Sequence, residues 1–146
     1  MANYQSKQYA NSPTAFAGAP VSGAMMGLYY EVSITANAAN GDTFDFGIAP
    51  KGFRVFGGCL EATDIDTNGA PTVTINVGDS GSASRLFSSS TVGQAGTADR
   101  ALAVAGQHFL YTADTVVTGI INAGPATGTT GTLYLSLYGR FEGSPS

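Results

Sequence analysis

The residues best suited to chemistry in this chain lie in one short acidic segment. Residues 64–69 read Asp-Ile-Asp-Thr-Asn-Gly and match the first six positions of a calcium-binding loop, where oxygen ligands two residues apart converge on one hard cation. Position twelve is Ile75 instead of the bidentate glutamate of an EF-hand, which excludes a complete loop of that type. Two hypotheses stay open: a looser calcium turn formed by Asp64, Asp66 and Asn68, or a turn whose side chains bond to their own backbone.

Other groups capable of catalysis are sparse. His108 is the only histidine and Cys59 the only cysteine, so a multi-histidine metal site and an internal disulfide are both excluded. No Gly-x-Ser-x-Gly nucleophile elbow singles out a serine. Glu31, Asp45 and Glu61 fall on the polar side of predicted strands, but their presence alone does not make a glycosidase pair. We therefore predict a protein that is not an enzyme and that uses no cofactor.

Tyrosines are the remaining candidates for a binding surface. Tyr29, Tyr134 and Tyr138 fall on the polar faces of predicted strands. They could stack on sugar rings, although the absence of tryptophan weakens a carbohydrate-binding interpretation. Tyrosine offers a large contact area with a polar tip, so we predict interface aromatics. The alternative is that they are ordinary half-exposed strand residues.

These side chains are positioned by alternating strands. In the last segment Leu133, Leu135 and Leu137 alternate with Tyr134, Ser136 and Tyr138, which predicts a sheet with one apolar and one polar face. Similar patterns predict about eight strands, at 28–35, 44–48, 53–63, 73–77, 84–88, 109–112, 115–122 and 132–142. The short connections leave no room for crossover helices. The fold class is therefore all-β, an antiparallel β-sandwich of jelly-roll type.

Three local features refine this prediction. Asn40-Gly41 is a strong hairpin signal, because both residues tolerate positive φ. Gly57-Gly58 sits where the alternation changes phase, which predicts a β-bulge or bend. Residues 97–105 are predicted as one or two helical turns capped by Thr97, with an edge strand as the alternative.

Residues 1–26 form a region distinct from the predicted sandwich domain at 27–146. They are rich in Ala, Ser, Asn and Gln, and two prolines discourage a helix. We predict an extended N-terminal arm that orders by lying on its own domain or on a neighbour, with Tyr4, Tyr9 and Phe16 as anchors. A disordered tail is the alternative.

Composition narrows the partners. Only 11% of residues are charged and the net charge is −4, which disfavours nucleic acid and anionic membranes as partners. No apolar run approaches the ~20 residues that span a bilayer, and the first residues lack the features of a secretory signal. We predict synthesis in a cytoplasm, followed by assembly, since a surface this poor in charge is typical of packed proteins.

Four segments carry a resemblance to a known family: 74–80 (TINVGDS), 84–89 (SRLFSS), 109–117 (FLYTADTVV) and 131–138 (GTLYLSLY). Over roughly residues 28–142 the chain resembles small β-sandwich structural proteins of tailed bacteriophages, especially head decoration (cement) proteins. The resemblance implies a virion protein, made in the host cytoplasm, that sits outside the capsid as a trimer and bridges copies of the major capsid protein. Tyr4, Tyr9, Phe16, Tyr29 and Tyr138 are the expected contacts. A tail, fibre or head-fibre subunit, or a carbohydrate-binding jelly roll, is the alternative.

Overall fold

The computed structural model describes residues 2–5 and 25–142, and strands are almost the only regular secondary structure in this part of the chain. The nine strands are β1 (Asn3–Gln5), β2 (Met25–Ile34), β3 (Thr43–Ala49), β4 (Phe53–Ala62), β5 (Thr74–Asp79), β6 (Ser82–Ser90), β7 (Ala98–Asp99), β8 (Thr115–Ala123) and β9 (Gly131–Phe141). Two short 3-10 turns lie at Val92–Gln94 and Val104–Gly106. The all-β prediction is confirmed. No helix of the described residues is long and apolar enough to cross a membrane.

The strands form two sheets wound as a jelly roll. One sheet has the order β1-β3-β8-β5-β6 and the other the order β2-β9-β4-β7. Antiparallel pairs join β2 to β9, β3 to β8, β4 to β7 and β5 to β6. The first half of the chain thus pairs with the second half in reverse order, as in a long hairpin folded over on itself, which gives the jelly-roll winding. β1 adds to the edge of β3 in parallel.

The core lies between the two sheets. Every second residue of β2 and β9 points into it, and the large apolar side chains facing them come from β3, β5, β6 and β8. The fully buried members with the largest side chains include Phe44, Phe46, Phe53, Phe87, Leu60, Ile75, Ile121, Leu133 and Leu135. Burying one such side chain stabilises the fold by about 1.5–3 kcal/mol, so the alternation of these strands fixes which face of each strand is left for contacts.

The predicted hairpin at Asn40-Gly41 is wrong, although the turn itself is present. Gly41 has a φ of 89°, but β2 and β3 belong to different sheets. The turn is held from outside: the Gly41 N–H donates to the carbonyl of Ile121, and the Asp42 carboxylate accepts from the N–H groups of Ala2 and Ala39. These bonds hold the turn in the position where the chain crosses from the sheet that contains β2 to the sheet that contains β3.

The bulge predicted at Gly57-Gly58 lies one residue earlier. The register of β4 against β9 shifts between Val55 and Gly57, so the extra residue is Phe56, which is 38% exposed. An unpredicted second bulge interrupts β3 between Asp45 and Gly47.

The segment after β6 departs further from prediction. The helical turns at 97–105 are wrong and the alternative, an edge strand, is confirmed as β7; a 3-10 turn follows only at Val104–Gly106. Thr97 caps no helix, because the strand β7 follows it at once, and its N–H closes the preceding turn on the carbonyl of Val92. The strand predicted at 109–112 is reduced to one bridge between Arg54 and Leu110, although the Tyr111 N–H donates to the carbonyl of Phe53.

Candidate functional site

The outward side of β2, β9 and β4 gathers the most exposed aromatic side chains among residues 2–5 and 25–142. Its side chains lie in four rows across the three strands, set by the strand register. The rows are Glu31–Tyr134–Glu61, Tyr29–Ser136–Cys59, Gly27–Tyr138–Gly57 and Met25–Arg140–Arg54. We call this surface the tyrosine face. The surface is continuous because side chains along β2 and β9 alternate regularly between the two faces of the sheet. In β4 the extra residue Phe56 shifts this alternation, so that residues on both sides of the bulge point to the same surface.

Tyr138 protrudes from the tyrosine face. Its neighbours on both flanking strands are glycines, Gly27 and Gly57. A Cβ atom added to Gly57 would collide with the Tyr138 ring, so the ring lies directly over that glycine, an arrangement in which an aromatic side chain covers a bare stretch of strand. The side chain nevertheless stays 55% exposed. The result is an exposed aromatic ring that stands above the bare glycine backbone of β4.

Beside this ridge lies a shallow depression. It has a volume of about 340 Å³ and is lined by Tyr29, Cys59, Glu61, Ala62, Thr63, Tyr134 and Ser136. Tyr29 is 50% exposed, and its hydroxyl donates to Glu31 Oε1 at 2.8 Å. That hydrogen bond is the main reason the pKa of Tyr29 rises to about 12.

The two ends of the tyrosine face carry opposite charge. Glu31 and Glu61 flank Tyr134 at one end. At the other end Arg54 Nε and an Arg140 Nη nitrogen share one oxygen of Glu142, at 2.6 Å and 3.2 Å. The first end thus holds two acids, and the second holds two guanidiniums and one acid.

The structure places the predicted contact residues in two different regions. Tyr29 and Tyr138 lie together on the tyrosine face. Tyr4 lies in β1 on the other sheet, where its ring packs against Phe44 with centroids 5.7 Å apart, and its hydroxyl is 3.1 Å from the Thr35 hydroxyl. Tyr9 and Phe16 lie outside the described residues. A contact role for these five tyrosine and phenylalanine side chains stays a prediction.

The acidic turn is organised around its own backbone. Asp66 is fully buried, with 0% of the residue exposed. Its carboxylate accepts from the N–H groups of Thr72, Val73, Ala126 and Thr127 at 2.7–3.2 Å, and so ties the 64–73 loop to the loop before β9. Burial alone would raise the pKa of Asp66, but these four bonds outweigh it and lower the pKa to about 2.

The other two calcium candidates act in the same way. Asp64 Oδ1 accepts from the Asp66 N–H at 3.0 Å, and Asn68 Oδ1 accepts from the Ala70 N–H at 2.9 Å. These are the backbone-bonded turns that the sequence offered as the alternative. Within residues 2–5 and 25–142, no group of three or more His, Cys, Asp and Glu side chains is arranged to hold a metal ion. Calcium binding by the turn stays a prediction.

Sequence reasoning missed one polar cluster. Arg85 Nε donates to Asp79 Oδ2 at 2.6 Å, and its guanidinium carbon lies 3.8 Å from the centre of the Phe109 ring. Asp79 also accepts from the N–H groups of Gly81 and Ser82. The cluster fixes the β5–β6 hairpin, and the only signal in the sequence is an aspartate six residues before an arginine. It lies away from the tyrosine face and adds no reactive group to it.

No protein-family model and no curated protein matches the chain, but solved structures do. A chain in the capsid of Ralstonia phage GP4 superimposes with a TM-score of 0.83 at 29% identity, covering 98% of this chain and 100% of that one. A chain in the capsid asymmetric unit of cyanophage Pam1 gives a TM-score of 0.75 at 35% identity, covering 90% and 95%. A chain in the acid-stable capsid of Helicobacter pylori bacteriophage KHP30 shares the fold, with a TM-score of 0.56 at 12% identity over 84% of this chain.

Proposed function

The chain belongs to a family of phage capsid structural proteins, and we propose that within this family it is a decoration, or cement, protein. In this role it binds the outer surface of the phage head and bridges neighbouring copies of the major capsid protein. The protein itself forms a trimer at local three-fold positions. Its function is mechanical: it resists the outward pressure of packaged DNA.

The observation that supports this proposal best is the tyrosine face. Tyr29 and Tyr138 are half exposed on the outer side of a sheet, and large exposed aromatics on such a surface are typical of protein interfaces. With only 11% charged residues in the chain, the surface resembles one that is covered in an assembly. Many identical copies convert a modest contact per copy into a large stabilisation of the shell.

A second contact region is the N-terminal arm. Its first residues are held on the edge of β3, where the Ala2 N–H donates to Asp42 Oδ1 at 3.0 Å and the Thr43 N–H donates to the Ala2 carbonyl. We propose that residues 1–26, with Tyr4, Tyr9 and Phe16 as anchors, extend the contact with the capsid.

Cosedimentation with undecorated capsids tests the proposal. We expect saturable binding of the purified protein at a fixed ratio to the major capsid protein, and a trimer by light scattering. Deleting residues 1–24, the part of the arm that ends just before β2, should abolish capsid binding while the sandwich stays folded. Full occupancy by that deletion variant would contradict a role for the arm.

Absence of any capsid binding by the intact protein would contradict the decoration role and favour a tail, fibre or head-fibre location. Accessibility distinguishes the two surfaces of the shell: antibodies against the sandwich should label intact heads. Heads that contain the protein but bind no antibody would contradict an exterior position.

A further inference from the structure

The tyrosine face carries complementary features at its two ends, and we infer that it docks a second copy of this chain. The two copies are related by a two-fold axis that lies in the face and runs across the strands. This inference rests on the proposed function and deepens it. The decoration role leaves open whether the tyrosine face contacts the capsid protein or another copy of this chain, and here the partner is another copy. An isologous contact requires a patch that matches itself after such a rotation.

Charge supplies the first match. The row of Glu31 and Glu61 and the row of Arg140 and Arg54 are separated by six residues along β9, or roughly 20 Å at the rise of a strand. A two-fold axis midway between them places the acidic row of each copy over the basic row of the other. This match of acidic row with basic row occurs twice in the dimer. A two-fold axis parallel to the strands would instead place each row opposite the same row of the partner and so set like charges against each other.

Shape supplies the second match. The same axis passes between the Tyr138 row and the Ser136 row, so each row faces the other in the partner copy. The Tyr138 row is the ridge, and the Ser136 row lines the depression together with Tyr29 and Tyr134. Each protruding Tyr138 ring therefore meets the depression of the partner. One operation satisfies both the charge match and the fit of ridge into depression.

The size of the face predicts how strong this contact is. Three strands about 5 Å apart and roughly 25 Å long give on the order of 400 Å² per copy, which is at the low end for a specific interface. Contact in solution is therefore weak, and it becomes effective where copies are concentrated and held in place, as on a shell.

Charge reversal at the two ends tests the inference by sedimentation velocity at up to about 1 mM protein, since small interfaces bind weakly. Glu61→Arg alone and Arg140→Glu alone should each weaken self-association at least tenfold, because each sets like charges together twice. An equimolar mixture of the two variants should associate more strongly than either variant alone, since one of its two end contacts is native. The other end contact sets the two substituted positions on neighbouring strands of facing rows, where their reversed charges attract. Asn122→Arg, on the exposed outer side of β8, is the matched control and should behave as the unmodified protein.

Recovery in the mixture is the decisive result, because no capsid or saccharide partner would require it. Single variants that associate as strongly as the unmodified protein, or a mixture that does not recover, would overturn the inference. Cosedimentation of the same variants with capsids separates this failure from failure of the decoration role. If capsid binding persists without recovery, the face contacts something other than a second copy and the decoration role stands.

Discussion

The acidic turn around Asp66 and the tyrosine face use their polar groups in opposite ways. The Asp66 carboxylate is completely buried and accepts from five backbone N–H donors. Tyr29 and Tyr138 are half exposed, and the Tyr29 hydroxyl has one side-chain acceptor on the same surface. The Asp66 carboxylate has its hydrogen bonds inside the protein, whereas the tyrosine face is exposed to solvent across three strands.

This difference shows why residue type alone does not identify a site. A carboxylate whose oxygens already accept from the backbone holds loops together, because each of those N–H groups would otherwise be buried without a partner. A tyrosine lying over a glycine contributes little to the core and keeps its contact area for a partner. Substitutions should therefore separate the two regions: stability changes in the turn, and association changes on the face.

The largest effect is expected from Asp66→Ala. The change removes the acceptor of five N–H groups in two loops, of which the Val73 N–H is buried. We expect the free energy of unfolding to fall by about 3–5 kcal/mol, since each buried unsatisfied group costs about 1–3 kcal/mol and water satisfies some of them. Urea denaturation followed by circular dichroism measures this loss.

Asp64→Ala is the control in the same turn, because Asp64 is exposed and accepts from a single backbone N–H. Its cost should stay near 1 kcal/mol. Equal losses for the two variants would contradict the central role of Asp66 in the turn.

The sequence predicted the strands and faces well where alternation is uninterrupted, as at Leu133, Leu135 and Leu137. It placed Tyr29 and Tyr138 outside the core from that alternation alone. It could not predict that they share one face, because their proximity depends on pairing β2 with β9 across a hundred residues. The Asp66 network was equally hidden, since two of its donors, Ala126 and Thr127, lie some sixty residues away.

The second effect is a dependence of stability on pH that comes from Asp66. Its pKa is about 2 in the folded protein, against about 3.9 in an unfolded chain. The unfolded state therefore takes up the proton first as pH falls. The contribution is complete above the unfolded pKa, amounts to about 2.5 kcal/mol, and is lost as pH falls through the folded pKa. Denaturant unfolding at several pH values between about 5 and 2 should show this loss, and Asp66→Asn should flatten it. An unchanged slope in that variant would assign the acid sensitivity to other carboxylates.

Tyr138→Ala should sharpen the comparison from the other side. The ring is 55% exposed and rests on Gly57, so we expect the free energy of unfolding to change by less than about 1 kcal/mol. Self-association and capsid retention should fall about tenfold, the usual cost of removing an aromatic residue central to an interface. Tyr138→Phe keeps the ring and should retain most of the binding. A large loss of stability with unchanged association would make Tyr138 a structural residue and remove the contrast with Asp66.

The smallest effect concerns the ionisation of Tyr29. Its hydrogen bond to Glu31 is the main reason that its pKa is raised to about 12, followed by burial and by the nearby charges of Glu31, Tyr134 and Glu61. Glu31→Gln removes the charged acceptor, so we expect the Tyr29 pKa to fall toward the usual value of about 10. A difference titration of tyrosinate absorbance between variant and unmodified protein isolates this one group from the chain's seven tyrosines.

Glu61→Gln is the control and should shift the pKa of Tyr29 much less, because Glu61 acts on Tyr29 only through its charge. A shift of equal size in both variants would show that the field of the acidic end, and not the hydrogen bond, sets the state of the face.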